Sequence, residues 1–150
     1  MPHNPQQNGV TERKNKTIVG AARAMLNDQG LPIHLWVEAC NTTVYVQNRC
    51  PHRVLGMSTP EEAFSGKKLD ISHLKIFGSP IYIHVTKDAR KKLEPTAEVG
   101  ILVGYTETPH NYRMYFPDSR MTVVRWDIKF YEDKSMRLSL ERELELHAEE

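Results

Sequence analysis

The spacing of apolar residues changes once along this chain of 150 residues, close to Gly66. Before that point apolar side chains recur every three or four residues, which is the period of a helix face. After Ile76 apolar and polar residues alternate, which is the period of a strand with one buried face. The order of the two patterns predicts an α+β fold, with helices first and a β-rich module after them.

Three helices are predicted in the first part. The first begins near Val10 or Thr11 and ends near Asn27, and the second runs from about Ile33 to Asn48, where Pro51 closes it. The sequence TPEEAF predicts a short third helix with Thr59 as N-cap and Glu62 completing a capping box. The apolar stripe of the first helix is expected to pack on the second helix, around Trp36 and Cys40, or to stay exposed. Its members are Ile18, Ala22, Met25 and Leu26.

The second part predicts several short strands that form a small barrel or a strongly curved sheet. Strand patterns occur at 81–85, 98–105, 112–116 and 121–132, and Pro117 begins a predicted turn before the last of them. The predicted domains are therefore a helical part at 1–66, a β-rich domain at 72–133 and an acidic tail at 134–150.

Charge divides the chain unequally. Residues 1–135 hold 18 Lys and Arg against 14 Asp and Glu, whereas residues 136–150 hold 2 bases and 5 acids. A mildly basic body is weak evidence for a polyanionic partner. No apolar run approaches the roughly 20 residues that span a bilayer, so no membrane partner is expected. Two cysteines, Cys40 and Cys50, are interpreted as buried reduced thiols of an intracellular protein.

The first helix carries the most informative charge pattern. At about 100° per residue, Glu12, Lys16 and Arg23 share one face with Val19 between them, Arg13 lies on the flank, and Lys14 points towards the apolar side. One interpretation is a solvated face with a Glu12–Lys16 ion pair. The other is a carboxylate ligand for a divalent cation, with bases nearby for phosphates. A single carboxylate is not a complete metal site, so the second interpretation requires further acids.

Other patterns leave alternatives open. The run KDARKKLEP at 87–95 is either a solubilising loop or a contact for the DNA backbone. The aromatic rings of Tyr82, Tyr105, Tyr112 and Trp126 are expected to pack in or around the barrel rather than to stack on bases. Cys50 and His52 lack a second pair at zinc-ligand spacing, which argues against structural zinc.

A family resemblance adds to these interpretations. The segment PHNPQQNGVTERKNKTIVGAARAML closely resembles the last motif of the retroviral-type integrase core in its copia-type LTR-retrotransposon form. Later segments resemble the same family, including LPIHLWVEACNTTVYVQNRCP, STPEEAFSGKKLDISHLKIFGSPIYIHV and GILVGYTETPHNYRMYFPDSRMTVVRWDIKFYED. The resemblance covers roughly residues 2–133 in order. It implies the C-terminal helices of a ribonuclease-H-like core followed by a small SH3-like β-barrel.

The resemblance also implies a chemistry. The family binds Mg²⁺ or Mn²⁺ with an Asp, Asp, Glu triad, trims DNA ends and transfers the 3′-hydroxyls into target DNA. Glu12 looks like the third carboxylate, which makes it the candidate catalytic and metal-binding residue. Residues 5–9 look like a mobile loop beside DNA. The candidate DNA-binding residues are Gln7, Asn8, Arg13, Asn15, Lys16, Arg23, Lys87, Arg90, Lys91 and Lys92.

Both Asp residues of the family motif are absent, because only eleven residues precede Glu12 and none is an Asp. We therefore expect a fragment of a retrotransposon integrase that binds no metal and is inactive by itself. The expected partners are element and target DNA, the remainder of the integrase core and further copies of the chain, in the nucleus and cytoplasm. Two alternatives are a non-catalytic nucleic-acid-binding module and a protein-interaction module that uses the β-barrel.

Overall fold

The computed structural model of this protein describes residues 5–84, 97–126 and 128–130. Three α-helices come first: α1 (Pro5–Asp28), α2 (Trp36–Asn48) and α3 (Pro60–Ser65). The strands follow: β1 (Pro80–His84), β2 (Ala97–Tyr105), β3 (Tyr112–Phe116), β4 (Met121–Arg125) and β5 (Lys129–Phe130). They form one antiparallel sheet in the order β4-β3-β2-β1-β5. The predicted α+β class, with helices before the sheet, is confirmed.

Helix α1 begins five residues earlier than predicted. Pro5 is the first helical residue, so the predicted loop at 5–9 lies in the helix. Proline suits the first turn of a helix, because its missing N–H has no partner there and its φ is already helical. Gly9 destabilises a helix by about 1 kcal/mol relative to alanine. The helix nevertheless continues through this residue.

The third helix forms as predicted. The Thr59 side chain accepts a hydrogen bond from the N–H of Glu62, and the Glu62 carboxylate accepts one from the N–H of Thr59, both at 3.1 Å. The predicted strand pattern at 121–132 is divided into β4 and β5. The residues around Pro117 form the expected turn between β3 and β4.

The helices and the sheet share a hydrophobic cluster. Leu26 of α1, Ala39 of α2 and Ile101 of β2 all belong to it and are almost fully buried. The opposite face of the sheet has a second cluster around Leu102 and Met114. Because residues 101 and 102 face opposite ways, β2 is covered on both sides in the manner of a central strand.

The predicted packing of the α1 stripe is only partly confirmed. Ala22 and Leu26 do pack on α2, and Cys40 contacts the same cluster, but Trp36 is 54% exposed. Leu35 and Ala39 fill the place that was predicted for Trp36. Both cysteines are free thiols, with Cys40 half-buried and Cys50 exposed, so the expected burial of Cys50 is wrong.

Glycine is required where the segment before β1 passes α1. Gly78 has a φ of +85°, and a Cβ at this position would lie 2.6 Å from Cγ of Gln29. The backbone therefore approaches the buried Gln29 side chain more closely than any other residue type allows. Across the described part of the chain, no helix is both long and apolar enough to cross a bilayer.

Candidate nucleic-acid interface

The N-terminal half of α1 extends past the end of α2. Lys14 Nζ donates a hydrogen bond to Oε1 of Gln47, which is next to the last residue of α2, at 3.1 Å. Gly9 is half-buried, residues 10–17 are exposed, and the packed part of α1 begins at Ile18. The helix at 5–13 therefore protrudes by about 14 Å, since an α-helix rises 1.5 Å per residue.

The residues of the predicted charged face lie together on this helix. Glu12, Lys16 and Arg23 are exposed, and Val19 between them is exposed as well. Asn8 and Asn15 are exposed on the same half of α1, and the backbone of Gln7 lies in its first turns. Lys87, Arg90, Lys91 and Lys92 lie outside the described residues, so the structure does not test their predicted contact with DNA.

Two of the bases make intramolecular contacts. The Arg13 side chain donates from Nε to the Gly9 carbonyl at 3.2 Å, which holds the guanidinium along the helix axis. Lys14 contacts Gln47, in agreement with its predicted position on the packed side. Lys16 and Arg23 are therefore the bases on the exposed face that lies away from α2.

The predicted ion pair between Glu12 and Lys16 does not form in the structure, although both residues are described. Within the described ranges an ion pair joins Arg113 on β3 to Glu38 on α2, at 2.6 Å between Nη2 and Oε1. Residues 10–26 contain four bases and one acid, Glu12. This stretch of α1 therefore carries a net positive charge and produces a positive electrostatic potential, with Glu12 as its single carboxylate.

The metal-ligating residues of the described ranges do not assemble into a site. No group of three or more His, Cys, Asp or Glu side chains comes together in those ranges. Glu12 supplies a single carboxylate, whereas a catalytic Mg²⁺ takes one or two carboxylates together with substrate phosphates and waters. The donor set of these residues does not fit the two-metal centre that the resemblance implies, and no metal-dependent step follows from it.

An aromatic cluster positions α2, and with it α1, on the sheet. The ring of Tyr45 on α2 stacks on Tyr105 of β2 with centroids 4.7 Å apart, and the guanidinium carbon of Arg49 lies 3.4 Å above the Tyr45 ring centroid. Tyr45 Oη is 2.9 Å from Nε2 of His73, and Tyr112 Oη donates to the His73 carbonyl. We call these five residues the aromatic junction.

Burial affects the two titratable rings at the centre of the junction. It raises the pKa of the Tyr45 hydroxyl, and it lowers the pKa of the His73 imidazole, which the positive Arg49 lowers further. A neutral His73 ring can accept the Tyr45 hydroxyl at Nε2. Both pKa shifts favour the uncharged form of the group, as suits a contact that joins a helix to a sheet.

Polar contacts also join α2 to the sheet, beside the shared hydrophobic cluster. Thr42 donates to the Val103 carbonyl at 2.8 Å, at the point where the β2–β3 register shifts, and Arg113 donates two hydrogen bonds to Glu38. A cleft of about 770 Å³ opens beside the junction, between α2 and the end of β2. The sequence did not indicate this cleft, because its walls are distant in sequence and carry no motif.

The expectations for the aromatic residues are mostly confirmed. Tyr105 and Tyr112 pack in the junction, and Tyr82 is half-buried, so these rings are structural. Trp126 follows β4 and is 76% exposed, which makes the packing expectation wrong for this residue. Its ring lies just past the end of β4, and the described part of the chain leaves it largely uncovered.

Comparison with known proteins agrees with this architecture. Residues 79–143 match the family model described as the retroviral polymerase SH3-like domain. The chain is 37% identical over 134 residues to the Retrovirus-related Pol polyprotein from transposon TNT 1-94 of Nicotiana tabacum, covering 89% of this chain and 10% of that protein. It is 30% identical over 125 residues to the polyprotein from transposon RE2 of Arabidopsis thaliana, covering 83% and 9%.

A yeast relative is more distant. The Truncated transposon Ty1-A Gag-Pol polyprotein of Saccharomyces cerevisiae is 28% identical over 136 residues, covering 87% of this chain and 11% of that protein. No solved structure gives a significant match. The chain thus spans about a tenth of the length of these relatives. Over most of its length it is homologous to copia-type retrotransposon Pol polyproteins, with a retroviral polymerase SH3-like domain at 79–143.

Proposed function

We propose that this chain is a segment of a retrotransposon integrase and that it contacts DNA during integration. The homology to Pol polyproteins over 89% of the chain supports the origin of the segment. The observation that carries the proposal is the position of Glu12 and Lys16 on the protruding half of α1, where no other described element covers them. None of the described residues blocks the approach of a DNA strand to this surface.

The charges on α1 suit a phosphate backbone. Lys16 and Arg23 lie on the exposed face, and one further base, Arg13, lies beside them. Exposed lysine and arginine side chains bind phosphates mainly through charge, with little dependence on base sequence. Asn8 and Asn15 add amide groups that can donate to phosphate or sugar oxygens. In this proposal the basic run at 87–92 supplies a second region of contact.

Glu12 has a separate role in the proposal. It is the carboxylate that completes the catalytic centre of the intact integrase, whose other acids are absent from this sequence. The metal-dependent steps, 3′-end processing and strand transfer with Mg²⁺ or Mn²⁺, belong to that intact protein. This chain by itself is expected to bind DNA in the nucleus without joining it.

The test is a titration of DNA binding against salt. Fluorescence anisotropy with a labelled duplex should show a steep loss of affinity as salt rises, because each phosphate contact adds about 0.9 to the slope of log K against log salt. The double variant Lys16→Ala/Arg23→Ala should lower that slope by about 2. Circular dichroism should show unchanged helix content, since both side chains are exposed.

A matched control removes the same charge elsewhere. Lys67→Ala/Lys68→Ala deletes two exposed bases from the segment after α3 and should leave the slope close to the wild-type value. Equal losses for the two double variants would show that α1 is not the contact and would contradict the proposal. Joining of DNA by this chain alone, in Mg²⁺ or Mn²⁺ and dependent on Glu12, would contradict the division of roles.

A further inference from the structure

A cavity lies between α1, α2 and the segment that leads into β1. Its volume is about 380 Å³, which is within the range of about 300 to 1,000 Å³ that small-molecule sites occupy. Its walls include Ala21 and Met25 of α1, Thr42 and Thr43 of α2, Phe77, and Gln29, which follows α1. We call it the Gln29 cavity.

Gln29 brings an unsatisfied polar atom to this wall. The residue is only 8% exposed. Its Nε2 donates to Oδ2 of Asp28 at 3.2 Å, but its Oε1 has no hydrogen-bond partner within the described ranges. The Gly78 backbone passes close to its Cβ and Cγ, so the side chain has little room to turn towards solvent. A buried acceptor without a donor is unfavourable, and a ligand that supplies the donor recovers that free energy.

The two buried threonines in the wall are already engaged. Thr42 donates to the Val103 carbonyl and Thr43 donates to the Ala39 carbonyl, both at 2.8 Å. Their hydroxyl protons are thus used by the backbone of the fold, whereas Gln29 Oε1 is still an acceptor. The cavity therefore combines a largely apolar lining with a polar atom that selects for a hydrogen-bond donor.

We propose that the Gln29 cavity binds a small neutral ligand in which an apolar ring carries an N–H or O–H group, and that this group donates to Gln29 Oε1. Met25 and Phe77 suit the ring, because thioether and aromatic groups both pack well on aromatic faces.

The charges around the cavity favour a neutral ligand. Asp28 and Lys75 also line it, and their opposite signs give no preference for a cation or an anion. An ammonium donor would lose its hydration against an apolar wall, where a neutral amide oxygen cannot replace it. The proposal is independent of DNA binding, since neither Lys16 nor Arg23 lines this cavity.

The test is a titration with indole, which carries an N–H group on an apolar bicycle. Protein labelled with ¹³C in the methionine methyl groups is followed by NMR. The Met25 signal should shift and saturate with a Kd of about 1 mM, as suits a ligand of this size. The signal of Met114, in the second cluster on the opposite face of the sheet, should stay in place. A Met25 signal that does not move up to the solubility limit of indole would overturn the proposal.

Benzothiophene tests the hydrogen bond, because it has the shape of indole but no donor. Wild-type protein should bind indole more tightly, although benzothiophene is the more apolar of the two, and the reverse order would overturn the proposal. Gln29→Met removes the acceptor at similar volume. It should weaken indole binding about tenfold and leave benzothiophene binding no weaker than before. Equal changes for the two ligands would also overturn the role of Gln29.

A matched pair of variants tests the position. Ala21→Leu fills the cavity and should abolish the Met25 shift, whereas Ala24→Leu adds the same groups at an exposed position of the same helix and should preserve it. The same result for both variants would overturn the assignment to this cavity. N-acetyl-L-tryptophanamide then separates two sources of the ligand. Binding as tight as that of indole supports a tryptophan side chain of a peptide, and weaker binding supports a free small molecule.

Discussion

The two halves of α1 have opposite relations to the rest of the molecule. From Ile18 onwards the helix packs on α2 and the sheet, and its side chains Ala22 and Leu26 are almost fully buried. Before Ile18 residues 10–17 of the same helix are exposed, and they include the candidate DNA-binding residues Arg13, Asn15 and Lys16. One continuous helix thus combines an anchored segment with a protruding one. The difference teaches that the second half holds α1 in the fold, whereas the exposed first half is the part available for the DNA contact that we propose.

The largest expected difference between the two halves concerns apolar truncation. Leu26→Ala should lower the free energy of unfolding by about 2 to 5 kcal/mol, because it leaves a cavity in the shared cluster. Val10→Ala, on the protruding half, should change it by less than about 0.5 kcal/mol. Urea unfolding followed by circular dichroism measures both. Similar losses for the two variants would show that the protruding half is packed as well.

The next prediction concerns the close approach between the Gly78 backbone and α1. Gly78→Ala should lower the free energy of unfolding by at least about 2 kcal/mol, because the added Cβ meets Gln29 and φ is positive. Gly30→Ala is the matched control: its φ is +62° but nothing lies within 4 Å of the added Cβ. It should cost about 1 kcal/mol from backbone strain alone. Equal decreases in the free energy of unfolding for the two variants would mean that the Gln29 side chain moves away from the added Cβ at no energetic cost.

A smaller effect should appear in acid at the aromatic junction. Burial, Arg49 and His110 lower the pKa of His73 in the folded protein below its ordinary value of 6.5, although Asp70 acts in the other direction. The unfolded chain therefore binds the proton first as pH falls below 6.5, so the stability that His73 contributes is present above that pH and is lost below it.

The measurement is urea unfolding at several values between about pH 5 and about pH 7, where histidine changes charge. His73→Gln should flatten this pH dependence, and His52→Gln, at an exposed position, should leave it as in the wild type. A wild-type stability that is constant across the interval would contradict the assignment. So would a slope that is lost with His52→Gln instead.

The smallest effect is expected at Glu12. Glu12→Gln should change the free energy of unfolding by less than about 0.5 kcal/mol, because the side chain is exposed and makes no ion pair with Lys16 in the described structure. The same substitution should tighten DNA binding at low salt, since it removes the acid from a positive surface. A large decrease in the free energy of unfolding would show that Glu12 stabilises the fold and would argue against a role in DNA binding.

The sequence predicted the elements that depend on neighbouring residues. The capping box of Thr59 and Glu62 spans three residues, and the alternation around Ile81 needs only one strand, so local patterns sufficed for both. The exposed face of Glu12 and Lys16 followed from helix geometry in the same way. The predicted start of α1 was wrong because Gly9 disfavours a helix by about 1 kcal/mol relative to alanine, whereas the signals for a helix, Pro5 and the two glutamines, precede it.

Contacts between distant segments were not predictable. Tyr45 meets His73 and Tyr105 only because α2 packs on the sheet, and nothing near Tyr45 in the sequence indicates either partner. Trp36 illustrates the converse: a large aromatic residue on an apolar helix was expected to be buried, but Leu35 and Ala39 reach the sheet first. The predicted domain limits at 66 and 72 stay a prediction, although the helices and the sheet share a cluster.

Both tryptophans of the chain, Trp36 and Trp126, are exposed, while the five tyrosines among the described residues are buried or half-buried. Indole emission from the native state should accordingly lie at long wavelength, close to that of the unfolded chain, and would follow unfolding poorly. The same property makes each ring a local optical reporter. Trp36→Phe leaves an indole beside the sheet edge, and Trp126→Phe leaves one on the outer side of α2, so a blue shift in one variant alone would reveal where a binding partner docks.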